Sequence, residues 1–514
     1  MKLPTRQRLF EILPGLLSWS SLLLPLIFSF VYPAAVLLFV LIYAMYWFLK
    51  ALIISYHLIV GYRAYKRAVG TDWMAKLTTL TPKEKWRDIW HVVIFPELKE
   101  ELSTLESSFQ ALASSRYPLD RVIAVLAVEG RDHENGWMLA RALRKKFGRV
   151  FADFLVTEHP ADLPGEVRGK GPNITWAGKR VATYIARKRI PPENVVVTTV
   201  DADNRVHEQY LAALTYAYLT DPDPIRKSFQ PISMYFNNIW QIPIVIRLLS
   251  LGSSFWQMIE SSRPHRLRNF SAHAQSLKTL LDTNFWSVRT IVEDGHQFWR
   301  TYFAYEGHHS VVPIYVPVYQ DAVLSPQGFW ATVNAQYLQR RRWAWGASDV
   351  AYTAEHLIRL YQRTGRIPWH GILQWLRLVE GQVSLATTSL VLAVFGWLPV
   401  LLNDELRLTV LGAKFPLVYS RILTIASGGL LITMILTARL LPQRPRRRLG
   451  RLTTFGEWLL TPLLIPVNNV FFGCLPALDA QTRLLLGRYM TTFNVTPKMT
   501  ATIHQPSPVV HPAR

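Results

Sequence analysis

No charged residue occurs between Ile12 and Leu49, and this gap dominates the pattern of polar and apolar positions. A helix needs about 20 apolar residues to cross a bilayer, and the gap exceeds that. Pro25 and Pro33 interrupt it, and after Lys50 an apolar stretch continues to Tyr62. Two spans are predicted, near 12–32 and 34–57. The region is much longer than the roughly 7–15 residue core of a signal peptide. Three further apolar segments lie near the C-terminus: Gly381–Asn403, Phe415–Ala438 and Trp458–Leu478. The last contains Pro462, Pro466 and Pro476, so it reads either as a full crossing or as a broken, re-entrant segment.

From Arg63 to about Gly371 the pattern is that of a globular domain. Val122–Val128 and Val195–Val200 are short runs rich in β-branched residues and bounded by polar ones, as buried parallel strands are. Leu98, Leu102, Leu105, Phe109 and Leu112 recur every three or four residues and define one helix face, with Pro118 expected to stop that helix. Trp176–Arg189 is a second predicted helix. Alternating strands and helices imply an α/β sheet whose site lies at the carboxyl ends of its strands. The expected organisation is 1–62, two transmembrane helices; 63–371, an α/β domain with interfacial helices; 372–490, a second transmembrane region; and 491–514, a tail.

Charge orients this arrangement. The chain has 57 Lys and Arg against 35 Asp and Glu, a net charge of +22, yet only 18% of its 514 residues are charged. A soluble domain carries about 25%. A basic excess suits nucleic acid, or else anionic lipid head groups and polyphosphate substrates. The long apolar spans favour the second reading, and no nucleic acid partner is expected. Arg439, Arg444, Arg446, Arg447, Arg448 and Arg451 lie between two apolar segments, and Lys2, Arg6 and Arg8 precede the first. By the positive-inside rule both regions are cytoplasmic, which places the α/β domain on the cytoplasmic side of the cell membrane. A full last crossing would put Arg483, Arg488 and Lys498 outside, so the side of the tail stays open. The single cysteine, Cys474, excludes an internal disulfide and a cysteine-based zinc site.

Three motifs carry chemistry. Asp201-Ala202-Asp203 follows a hydrophobic strand, and two hard oxygen ligands there suit Mg2+ or Mn2+ bridging a diphosphate; the bland alternative is a solvated turn. Glu293-Asp294 offers a carboxylate as general base for an acceptor hydroxyl, or else a helix-start pair favoured by the helix dipole. Gln339-Arg340-Arg341-Arg342-Trp343 sets arginines for a diphosphate beside a tryptophan for a sugar face, or else forms an interfacial helix.

The three motifs occur in this order, about 90 and 45 residues apart. The chain thereby resembles the membrane-bound family 2 glycosyltransferases, which include cellulose, chitin and hyaluronan synthases. The resemblance implies a Rossmann-like GT-A domain inserted between transmembrane helices, a UDP- or GDP-sugar donor, Mg2+ or Mn2+, a glycan or lipid acceptor, and inversion at the anomeric carbon. It implies Asp294 as general base and Asp201 and Asp203 as diphosphate and metal ligands. Arg342 would lie near the diphosphate, and Gln339 and Trp343 would contact the acceptor. Glu129 stands where the family has an Asp pair that reads the nucleotide base, with Asp132 as the nearby alternative and a solvated loop as the bland one. Lys170, in Arg168-Gly169-Lys170-Gly171, resembles a loop that contacts the donor. A P-loop is excluded because the glycine spacing is one residue short and no Ser or Thr follows Lys170. Phe493–Lys498 resembles a short element that follows the last span in many relatives.

The chain departs from the family at Val292 before Glu-Asp, at the bulky His296, Phe298 and Trp299 after it, and in lacking Gly-Gly ahead of it. These departures leave the acceptor open, and with it the choice between processive synthesis and single transfer. A different class also stays open, that of a catalytically degenerate membrane scaffold or transport component. Intact Asp201, Asp203, Asp294 and Arg342 weigh against it.

Overall fold

The computed structural model describes residues 5–80, 85–444 and 450–492. Lys2, Arg446 to Arg448 and the Phe493–Lys498 element lie outside the described residues. The chain forms two compact units, one of Met1–Ile59, Pro243–Leu249 and Val333–Tyr489, the other of Val60–Ile242, Ser250–Thr332 and the residues from Met490 onward.

The second unit is built on an eight-stranded mixed sheet. Its strands are β1 (Trp90–Glu97), β2 (Val122–Glu129), β3 (Asp153–His159), β4 (Val195–Thr199), β5 (Arg205–Val206), β6 (Lys227–Met234), β7 (His273–Ser276) and β8 (Ser310–Tyr319). Their order is β3-β2-β1-β4-β7-β6-β8-β5. β3, β2, β1 and β4 run parallel, as the βα pattern predicts, with Val93 opposite both Ala124 and Thr198. The four-residue β7 then reverses direction against both β4 and β6.

Every residue of β2 is buried, because helices cover both faces. Side chains alternate across a strand, so neighbours enter opposite cores. Phe95, Ala124 and Leu126 pack with the Leu102–Ala113 helix, where Phe95 and Phe109 stack at 4.5 Å. Ile94, Ile123, Val125 and Ala127 pack with Ile174, Ala177, Val181 and Ile185 of the Lys170–Arg187 helix. This two-sided burial explains the unbroken apolar runs.

Two helices differ in extent from the sequence expectation. Leu98 precedes the first helix, because Lys99 takes a left-handed turn at φ +57° between β1 and Leu102. That helix also ends at Ala113, before Pro118, so that Tyr117 can turn inward; its hydroxyl lies 2.8 and 2.9 Å from the carbonyls of Trp86 and Ile89. The second helix begins at Lys170, not Trp176. Its Gly171-Pro172 reads as a loop, but proline is tolerated in a first turn, where its missing N–H has no partner to lose.

Among the described residues, five helices are long and apolar enough to cross a membrane: Arg6–Val31, Pro33–Val69, Trp369–Phe395, Val410–Leu440 and Phe455–Leu485. Leu38, Ile42 and Leu52 are more than half exposed, as side chains facing lipid are. Pro25 does not break the first helix, and Pro462 and Pro466 lie inside a run that continues through a π-turn at Val470–Cys474. Within the first unit, polar contacts link these helices. Ser18 donates to Gln481 at 2.6 Å, Gln481 to the Gln382 carbonyl at 2.8 Å, and Lys50 pairs with Glu380 at 2.5 Å. Such bonds hold helices where no hydrophobic effect separates protein from lipid.

Glu97, at the end of β1, is fully buried. Burial first, and then its contact with Asp132, push its carboxyl up to about 8. Asp132, partly buried, is nevertheless held below the usual range by Asn135 Nδ2 at 2.9 Å, by Glu97 and by the Lys99 N–H at 2.6 Å. The proton therefore sits on Glu97. An unfolded glutamate titrates near 4.3, so the fold retains a proton that the unfolded chain releases. This stability is complete below about pH 4 and is lost as pH rises through about pH 8. Glu97→Gln preserves the donor to Asp132 without titrating. Thermal melts at about pH 6 and pH 9 are expected to fall more steeply with pH for the wild type than for the variant; parallel curves would contradict the assignment.

Candidate active site

The carboxyl ends of β1, β2 and β4 bring Glu97, Glu129 and the turn after Thr199 to one edge of the sheet. That turn is tied on every side. The Val200 N–H donates to the Ile94 carbonyl at 3.2 Å, the Asp201 N–H to Asn204 Oδ1 at 2.6 Å, and Ser108 Oγ to the Ala202 carbonyl at 2.7 Å. Asn204 Nδ2 in turn donates to Gln320 Oε1 at 3.1 Å. Asp203 is buried, and its Oδ2 accepts the Asp321 N–H at 2.6 Å. Asp201 keeps its side chain 30% exposed. The two carboxylates thus differ: Asp203 is fixed inward and Asp201 is open.

Lys170, the first residue of its helix, reaches this turn. Its Nζ donates to Asp201 Oδ1 at 2.7 Å and to the Ser271 carbonyl at 3.2 Å. Burial opposes the ammonium charge, but Asp201, Glu293 and Asp294 outweigh it and raise the group above its usual value. Glu293 and Asp294 open the Glu293–Ala304 helix, whose first turn favours negative charge. The structure therefore gathers Lys170, Asp201, Glu293 and Asp294 into one charged cluster. Gly171 permits it. A Cβ there would meet the Ser287 carbonyl oxygen at 2.4 Å and Glu293 Cβ at 3.1 Å, so only glycine lets the two helix starts approach.

Behind Lys170, His273 is buried, and burial pushes its ring down to about 3. Its Nδ1 donates to the Phe270 carbonyl at 2.8 Å and its Nε2 accepts from Trp286 Nε1 at 3.0 Å, which fixes a neutral tautomer.

Glu129 is 3% exposed and does not project into solvent as a loop residue would. Its Oε1 accepts from Arg131 Nε at 3.1 Å and lies 3.3 Å from His159 Nδ1. His159 Nε2 lies 2.8 Å from Glu166 Oε2.

Gln339, Arg342 and Trp343 belong to the first unit, on the Phe329–Ala344 helix. Gln339 Oε1 accepts from Gln336 at 3.1 Å, and Trp343 is 37% exposed, with the Arg340 guanidinium 5.0 Å from its ring. Arg341, inside the same motif, pairs with Asp479 at 2.9 Å.

Among the described residues no group of three or more His, Cys, Asp or Glu is placed to hold a metal ion. Asp201 and Asp203 supply two hard carboxylates, a donor set that fits Mg2+ or Mn2+ when phosphate oxygens and water complete the shell. Sequence spacing gave no sign of His159, Glu166, Ser271 or Asp321. Ser271 and Asp321 reach Lys170 and Asp203 by their backbone, while His159 and Glu166 meet beside Glu129.

No protein-family model matches the chain, and no curated protein matches it. Among solved structures it is similar to the mannosyltransferase PcManGT from Pyrobaculum calidifontis in complex with GDP-Man and Mn2+, at 14% identity and a TM-score of 0.41, over 87% of this chain and 100% of that one. It is also similar to glucosyl-3-phosphoglycerate synthase from Mycobacterium tuberculosis in complex with Mn2+, UDP and phosphoglyceric acid, at 14% identity and a TM-score of 0.28, over 44% and 68%. A third similar structure is residues 1–349 of S. aureus TarS, at 14% identity and a TM-score of 0.29, over 66% and 91%.

Gly171→Ala is expected to lower stability by about 1–3 kcal/mol, as overpacking does. Gly295→Ala, with nothing within 4 Å of its added methyl, controls for the generic effect of an alanine in this region. Chemical denaturation of both variants checks the difference, and equal midpoints would show that the helix starts can separate freely.

Proposed function

We propose that the chain is a multi-pass membrane glycosyltransferase with a cytoplasmic domain of the GT-A type. It would transfer a sugar from a UDP- or GDP-sugar to a glycan or lipid acceptor, with inversion. The observation that carries this reading is the largely buried side chain of Lys170 among Asp201, Glu293 and Asp294, at the carboxyl ends of parallel strands. A cation beside an open carboxylate suits a diphosphate, and a second carboxylate close to it suits the hydroxyl that attacks.

The roles follow from chemistry. Lys170 offers its ammonium to the diphosphate oxygens, on which negative charge grows as the glycosidic bond to the donor breaks. Asp201 and Asp203 would hold Mg2+ or Mn2+, which when bound neutralises the same charge. Asp294 accepts the proton of the acceptor hydroxyl as that oxygen bonds to the anomeric carbon. Attack opposite the leaving diphosphate inverts the centre in one displacement. Glu129 is assigned to the nucleotide base because it stands where the family carries its base-reading carboxylates. The assignments of Arg342 to the donor diphosphate, and of Gln339 and Trp343 to the acceptor, rest on their motif. Lipids surround the apolar helices in this reading.

Purified protein is expected to hydrolyse or transfer from at least one UDP- or GDP-sugar in the presence of Mg2+ or Mn2+. Asp294→Asn is expected to lower kcat by about 10²–10⁴-fold, the usual weight of a general base, with donor KM little changed. Asp203→Asn is expected to weaken donor binding and raise the metal concentration needed for half activity. A scaffold or transport component would show no turnover with any donor and no effect of either substitution. Sizing the radiolabelled product then separates modes: a ladder supports processive synthesis, and a single lipid-linked product supports one transfer.

A further inference from the structure

Glu129 and His159 are direct register partners across the β2–β3 ladder, so the sheet itself sets them side by side. Both are buried, at 3% and 4% exposure. The approach of the two strand ends is close. A Cβ on Gly130 would stand 2.7 Å from the His159 carbonyl oxygen and 2.9 Å from the Ala161 nitrogen. The imidazole then contacts carboxylates with both nitrogens, Glu129 at 3.3 Å and Glu166 at 2.8 Å. An ionised carboxylate only accepts hydrogen bonds, and a neutral imidazole has one donor. Satisfying both contacts requires the imidazolium.

The remaining groups around the ring agree with this. Arg131, from the turn after β2, shares Glu129 Oε1 at 3.1 Å. From the Lys170–Arg187 helix, Trp176 meets the ring edge-on at 6.0 Å, with the Arg180 guanidinium 4.8 Å from the indole. Two carboxylates, one imidazolium and one guanidinium form a balanced set. Glu129 Oε2 accepts no hydrogen bond among the described residues, which leaves it available to an imide or amide N–H of a nucleobase.

Glu166 extends this set to the cluster around Lys170. It stands four residues before Lys170, in a loop whose Val167 N–H donates to the Val288 carbonyl at 2.9 Å. Resting on the reading of this site as a nucleotide-sugar site, we propose that His159 is a positioning residue for the donor. Its imidazolium pins Glu129 with one nitrogen and the loop leading to Lys170 with the other, so that base and diphosphate contacts are set together. Burial opposes the ring's charge, but the hydrogen bonds and charges of Glu129 and Glu166 outweigh it and raise the ring above its usual value. The clamp is closed below that raised value. It opens as pH rises through it, when one of the two carboxylates loses its donor.

The test is UDP and GDP binding by calorimetry, with donor KM and kcat, for wild type, His159→Gln and Glu166→Gln between about pH 6 and pH 9. Wild-type affinity is expected to fall by about tenfold across this range, the weight of one charged hydrogen bond, with kcat nearly level. His159→Gln is expected to bind weakly at every pH with a flat profile, and Glu166→Gln to lose most of the pH dependence while keeping Glu129 in place. Thermal melts establish that each variant is folded; if His159→Gln is not, Glu166→Gln carries the decision alone. A folded variant whose binding profile runs parallel to the wild type, or whose loss is confined to kcat, overturns the role of His159. Absence of UDP and GDP binding by the wild type at any pH overturns the nucleotide-sugar reading itself.

Discussion

A lysine ammonium removed from water must find negative charge, and that requirement organises the candidate site. Lys170 opens a helix rather than ending one, so the dipole of its own helix opposes its charge as burial does. The surrounding carboxylates supply the compensating charge, and they come from two separate segments: Asp201 from the turn after β4, and Glu293 with Asp294 from a helix start some 90 residues later. Removing any one of these elements would leave a buried cation underneutralised, a costly state. The charges that stabilise the cluster are the same ones to which the proposed function assigns the donor diphosphate and its metal.

Geometry at this scale depends on backbone more than on side chains. The two helix starts meet because Gly171 has no Cβ, and the strand ends after β2 and β3 meet because Gly130 has none. Around them, fixed donors do the orienting. The Asp321 N–H holds Asp203 inward, the Ser271 carbonyl shares Lys170, and the neutral His273 braces the short β7 against Trp286. These groups are held by the protein's own hydrogen bonds, and a polar site fixed in this way needs little reorganisation when charge develops.

The apolar helices are built for a different solvent if, as proposed, they lie in lipid. Their exposed leucines and isoleucines suit a nonpolar surround, and several of their polar groups are paired within the first unit, as Lys50 is with Glu380 and Ser18 with Gln481. If these helices cross a bilayer, as proposed, pairing lowers the cost of carrying a charge there. Prolines such as Pro25, Pro462 and Pro466 nevertheless lie inside these helices.

Much of this was legible in the chain itself. Apolar runs longer than a bilayer, and β-branched runs shorter than a helix, announce membrane-length helices and buried strands, because solvent preference is a property of local composition. Asp201, Asp203, Glu293 and Asp294 were visible because their chemistry is carried by adjacent residues. The helix start at Lys170 was hidden, since Gly171 and Pro172 read as a loop until the packing against Glu293 is known. The reversed β7, the neutral His273, the proton on Glu97 and the imidazolium of His159 were hidden too. Each depends on a partner distant in sequence, and protonation follows from which groups are brought within hydrogen-bonding distance. Local pattern determined what each segment is; only the tertiary structure decided which charges face one another.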